Sequence, residues 1–148
     1  MVIVSLGATD DELLQIVRSW LDVMAMGDYG RVFEELGYAM AYGAGSEAIR
    51  RDIKSYRSPD FYPGVADFSV SDWRTPVGGN PEPRMLIRRY KYNASLPIVA
   101  TVELDLPLNG RWSDLEAHFV LTVSSEQDTK GILSLEDIRG PARETADA

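Results

Sequence analysis

The chain contains no cysteine and a single histidine, His118. The first absence excludes disulfides, thiol nucleophiles and thiolate metal sites, and it suits a reducing compartment, so the expected location is cytoplasmic. With one histidine, a metal site would have to be built from carboxylates. Asp10, Asp11 and Glu12 read more simply as an acidic first helical turn, and no metal is expected. Nor does any apolar run approach the roughly 20 residues that cross a bilayer. The opening Met1-Val2-Ile3-Val4-Ser5-Leu6 has no basic leader and meets Asp10 too soon for a secretion signal, so neither membrane insertion nor export is expected. Basic charge is also scarce: 15 Lys and Arg stand against 23 Asp and Glu, a net charge of -8. Such a surface repels nucleic acid; solubility alone accounts for most charge of this kind, and steering toward a basic protein partner is the alternative.

Ligand motifs are equally sparse. Gly43-Ala44-Gly45-Ser46 precedes a helix but lacks the Lys-Ser or Lys-Thr of a phosphate loop, and Ser46 reads as a helix cap. No nucleophile motif accompanies His118, so no catalytic residue can be named, and nothing indicates an organic cofactor. Asn93-Ala94-Ser95 reads as a turn.

What is present is periodicity. At 148 residues and 45% hydrophobic content, the chain has the size and apolar content of one domain, residues 1–148, with an ordered core over about 10–138 and a frayed tail at 140–148. Thr9 and Glu12 form a capping box ahead of a helix from about Asp10 to Met26, with Leu13, Ile16, Val17, Trp20, Leu21 and Met24 at helical spacing. Asp28 caps a second helix that Gly37 ends. Ser46 opens a third, carrying Ile49, Ile53 and Tyr56, which Ser58-Pro59 closes. Beyond Val65 the period changes to two. A strand is expected around Phe68 and Val70, a loop over 76–83, a strand from Met85 to Tyr92 and a last strand over 132–138 after a polar loop at 124–130.

The clearest feature lies between these. From Leu96 to Val123, two alternating runs flank Pro107-Leu108-Asn109-Gly110-Arg111, and Asn-Gly supplies the positive φ that a tight turn needs, so a long antiparallel hairpin is predicted. Helices followed by such strands give an α+β class: three N-terminal helices on one face of a curved, mainly antiparallel sheet of about five strands.

Trp20-Leu21 followed by Gly27-Asp28-Tyr29, with the strand-rich second half, resembles the nuclear-transport-factor-2-like superfamily. Arg111-Trp112-Ser113-Asp114-Leu115 and Leu135-Glu136-Asp137-Ile138 are similar to strands of small bacterial domains with no assigned activity. The resemblance implies a cone-like wrapping of the sheet around the helices and, as in many members, pairing of two copies. It carries no catalytic residue over to this chain.

Two sets of residues stand out as candidate surfaces. In the strand Met85 to Tyr92, Arg88 shares parity with Tyr90 and Tyr92. If that parity faces the helices, Trp20, Tyr56, Arg88, Tyr90 and Tyr92 would line an inner ligand pocket. Arg89 and Lys91 would then meet Glu103, Asp105, Asp114 and Glu116 on the outer face. That outer face would also present Val99, Thr101, His118, Val120 and Thr122, a set suited to a homodimer interface. The leading functional expectation is a non-catalytic binding or protein-interaction module with a basic partner. The alternative is a small-molecule binder or isomerase-like enzyme with a pocket between helices and sheet.

Overall fold

The computed structural model describes residues 1–93, 95–123 and 129–140. The expected polar loop at 124–130 and the frayed tail at 140–148 lie largely outside them. Three helices, α1 (Asp10–Ala25), α2 (Tyr29–Leu36) and α3 (Glu47–Lys54), precede the main strands, with a 3-10 turn at Ala39–Ala41. The strands are β1 (Val2–Ser5), β2 (Met85–Arg89), β3 (Ile98–Leu108), β4 (Arg111–Thr122) and β5 (Lys130–Arg139). They form one antiparallel sheet in the order β1-β5-β4-β3-β2. The sheet is open, and the class is α+β with helices N-terminal to the strands of its centre.

The helices begin where their side chains supply partners for free amides. Thr9 Oγ1 accepts from the Glu12 amide at 3.2 Å, while Glu12 Oε1 accepts from the Thr9 amide at 2.9 Å. Asp28 Oδ1 accepts from the Arg31 amide. Ser46 differs from expectation: it is already helical in backbone and makes no side-chain cap bond. Apolar stripes then face the sheet. Leu13, Val17 and Leu21 of α1 and Ile49 and Ile53 of α3 meet Val102, Leu104, Ala117, Phe119, Leu121, Leu133 and Leu135, all buried. Burial of a large apolar side chain contributes about 1.5–3 kcal/mol, so this layer carries the fold.

The predicted hairpin forms, and Asn109 and Gly110 take the positive φ expected of them. Three departures matter. First, Val2–Ser5 is an edge strand on β5, and Val4 belongs to the core, so the ordered part begins before residue 10. Second, Phe68 and Val70 do not make a full strand; Val70 bridges only to Leu108. Third, the register of β3 against β4 shifts between Ile98 and Ala100 and again between Asp105 and Pro107. The first shift exchanges the faces of two residues. Ile98 pairs with Thr122 on the outer side, and Val99 packs against the helix-side core instead of standing on the outer face. At the second, buried Ser113 donates from Oγ to Leu106 O at 2.6 Å and accepts from the Leu115 amide at 3.0 Å.

The segment before β2 straps the hairpin tip. Ser69 O accepts from the Asn109 amide in the turn and the Ser71 amide donates to Pro107 O of β3, and further on Gly78 O and the Asn80 amide bond to β4 at Trp112. Between them Trp73 Nε1 and the Arg74 guanidinium donate to Asp22 of α1, which holds the segment against the helix layer. Gly79 has no alternative residue here: its φ is +82°, and a Cβ would stand 2.2 Å from Trp112 O.

Candidate functional site

Strand register arranges the outer sheet face in rows. One row runs Ile3, Ile132, Thr122, Ile98. The next runs Ser134, Val120, Thr101, Arg88, and the third Asp137, His118, Glu103, Leu86. A fourth holds Arg139, Glu116 and Asp105. The face thus grades from apolar at one end to charged at the other, where the strap covers it. Val120 is buried yet lies outside the helix-side core, as its parity requires.

The charged end is a closed ion network. Glu103 and Glu116 are 8% and 7% exposed, which would be costly without partners. Arg88 Nη1 lies 3.2 Å from Glu103 Oε2, and Arg84 reaches Glu103 at 3.7 Å and Glu116 at 3.4 Å. His118 Nε2 stands 2.9 Å from Glu116 Oε1, and its Nδ1 3.6 Å from Glu103 Oε1. The ligand atoms of Glu103, Glu116 and His118 lie within 4.8 Å of one another, near enough to share a cation. Two guanidinium groups already supply positive charge to these carboxylates, so the geometry is that of a salt-bridge network. Asp105, 3% exposed, sits deeper, beneath the strap. Its Oδ2 accepts from the Arg84 amide at 2.6 Å and from Asn80 Nδ2 at 3.1 Å. Burial, with Glu116 and Asp114 nearby, pushes its carboxyl up to about 6.

The expected inner pocket does not assemble from the five residues assigned to it. Pairing of Arg88 with Thr101 places Arg88 on the outer face, so the face expected for β2 is reversed. It is Arg88, with Arg84, that meets the acids. Arg89 instead faces the helices, where it bonds to Asp10 Oδ1 at 2.8 Å and Ala8 O at 2.9 Å. Tyr90 is exposed and, with Arg88, Thr101, Glu103, His118 and Val120, borders a hollow of about 290 Å³ on the outer face. Tyr92 lies beyond the end of β2, half-buried. Trp20 is in the helical core, under the Arg31 guanidinium. Tyr56 stands at the end of α3 in an edge-to-face group with Tyr62 and Phe68, its hydroxyl bonded to Asp114. Of the residues expected at the interface, Thr101, His118, Val120 and Thr122 lie together on the outer face, and Val99 does not join them.

A cleft does open elsewhere between helix layer and sheet. It measures about 360 Å³ and lies beside β3 where β2 begins, between that end of β2 and the strap. Leu14, Arg18 and Leu21 of α1 form one wall; Trp73, Arg74, Arg84, Met85, Leu104, Asp105 and Trp112 complete it. Sequence reading missed these residues because they come from five separate segments. The one available signal was Arg18, a cation on α1 one turn after Leu14, on the border of the apolar stripe.

Among the described residues, no helix is long and apolar enough to cross a membrane. Compared with family models, curated proteins and solved structures, the chain matches none of them.

Proposed function

We propose that this protein is a non-catalytic interaction module that pairs with a second copy through the open face of its sheet and offers its acidic helical side to a basic protein. The observation that carries the reading is the graded outer face. Its uncharged rows, Ile3-Ile132-Thr122-Ile98 and Ser134-Val120-Thr101, have no helix upon them among the described residues, while its charges are already paired within the chain. Two such faces can meet across a two-fold axis without burying an unpaired ion. Thr101 Oγ1 supports the same reading: it is buried without a hydrogen-bond partner among the described residues. Pairing of copies also accords with the resemblance to nuclear-transport-factor-2-like proteins.

Size sets the expected strength. Rows four strands wide at about 4.8 Å per strand, and three rows about 6.7 Å apart, give roughly 400 Å² per copy, or about 800 Å² in all. That is smaller than a standard specific interface, so a weak, reversible dimer in the micromolar range is expected. Charge supports the second half of the reading. Residues 1–36 hold seven carboxylates against two arginines, and Asp11, Glu12, Asp28 and Glu34 face no cation among the described residues.

Sedimentation velocity between about 5 and 200 µM tests the pairing. The native chain should show concentration-dependent dimerisation, and Thr122→Arg or Ser134→Arg, which bring like charges together near the axis, should abolish it. A chain that stays monomeric at 200 µM would remove this use of the face. For the basic partner, complexes with the immobilised protein should dissociate between about 50 and 500 mM salt; salt-insensitive retention would contradict recognition by charge.

A further inference from the structure

The cleft between α1 and the strap contains one cation, Arg18, with no direct ion-pair partner among the described residues. Arg74 also lies in its wall, but Asp22 holds it at 2.8 and 3.0 Å and Asp72 at 3.0 Å. Arg84 is turned to Glu103 and Glu116. Arg18 has neither a carboxylate nor a hydrogen-bond acceptor among the described residues. Its guanidinium carbon lies 4.4 Å from the centre of the Trp73 ring, at the same distance as that of Arg74. Asp22 and Asp72 are engaged by Arg74, so the half-buried Arg18 guanidinium over the indole keeps its N–H donors unused among the described residues, and an anion entering the cleft would accept from them.

The remaining surroundings define the rest of the ligand. Leu14, Leu21, Leu104, Met85 and Trp112 give the cleft an apolar lining. Asp105, on the strand side, has Oδ2 occupied by two donors, and its negative charge disfavours a second anionic group there. At about 360 Å³ the space equals that of about twelve water molecules, near the lower end for small-molecule pockets. One guanidinium without an ion-pair partner among the described residues matches a single negative charge, which favours a carboxylate over a phosphate dianion.

We propose that this cleft binds a small organic monocarboxylate of about ten non-hydrogen atoms in all, with its apolar body along Leu14, Leu21, Leu104 and Trp112 and its carboxylate paired with Arg18. The site is separate from the outer sheet face, so it stands or falls independently of the pairing of two copies.

Phenylacetate is a suitable probe because it has this size and charge; phenylacetamide keeps the shape without the charge, and acetate keeps the charge without the body. Titration followed by protein NMR at fixed pH should show saturable binding of phenylacetate that perturbs residues of α1 and of the strap. Phenylacetamide and acetate should each bind at least tenfold more weakly. Arg18→Gln should lose tenfold or more, with Arg18→Lys between it and the native chain, while Arg50→Gln, a cation change on α3, should leave binding unchanged. No saturable binding of phenylacetate up to 10 mM would overturn the proposal. So would equal binding of the amide, or retention of affinity in both folded Arg18 variants.

Discussion

Asp105→Asn should stabilise this protein at neutral pH, although it removes a buried group with two hydrogen bonds. Both of those bonds go to one oxygen, Oδ2, which accepts from the Arg84 amide and from Asn80 Nδ2. An asparagine that puts its carbonyl oxygen there keeps both. Its NH2 group then replaces Oδ1, which has no donor among the described residues, and turns a negative charge among Glu116 and Asp114 into a neutral donor. The carboxyl is pushed up to about 6, chiefly by burial, against an ordinary value of about 4. Two units correspond to about 3 kcal/mol of disfavour for the ionised form in the folded state.

The sign follows from proton counts. Between pH 4 and 6 the folded state keeps a proton that the unfolded chain has released, so this group's contribution to stability falls as pH rises through that window and stays low above it. Asparagine is indifferent to pH. Its advantage should therefore be about 2–3 kcal/mol at pH 7.5 and shrink steadily as pH falls from 6 to 4. For a chain of this length that corresponds to about 5–10 °C in Tm. Urea unfolding of both proteins at several pH values reads the difference directly. A variant that is less stable at pH 7.5, or a difference that does not change with pH, would refute the assignment of Asp105 as a carboxylate held against its charge.

Gly79→Ala should destabilise by about 2 kcal/mol or more, since a positive φ and a clash with Trp112 O cannot both be relieved without breaking the strap from β4. Urea unfolding should show the loss, and adding Asp105→Asn to this background should yield a smaller gain at pH 7.5, because Asp105 would be better hydrated. Phe119→Ala, at a fully buried position in the centre of the sheet, should cost about 3–5 kcal/mol. Calorimetry that showed a loss below 1 kcal/mol would mean that the helix layer is not packed on this face as described.

Local rules made much of the fold readable. The hairpin announced itself through strict alternation around Asn109-Gly110, and the capping box and the apolar stripe of α1 located the first helix to within a residue. Where alternation was mixed, reading failed. In β2 both parities contain an arginine and an apolar residue, so only pairing with β3 decides that Arg88 faces outward and Arg89 inward. Val99 was misplaced because a bulge adds one residue to a strand without leaving a mark on composition. The four residues of β1 are too few to show a period, and they become a strand only because β5 has a free edge to receive them. The cleft and the burial of Asp105 were illegible for a further reason. Both depend on where the strap crosses the sheet, and contacts between Trp73 and Asp22, or Asn80 and Asp105, join positions far apart in the chain.

The strap also bears on how this protein avoids sticking to itself in the wrong way. The tip of the β3–β4 hairpin extends past β2 on one side and past β5 on the other, and unpaired strand edges of that kind recruit foreign strands into aggregates. Residues 69–71 close one of these edges and residues 77–80 the other, both with backbone hydrogen bonds. Among the described residues, the sheet margins that remain are β1 and β2, four and five residues long, which are short templates for strand addition. Loss of the strap would thus do more than loosen a loop: it would uncover both edges of the hairpin tip and turn it into a seed for cross-strand assembly.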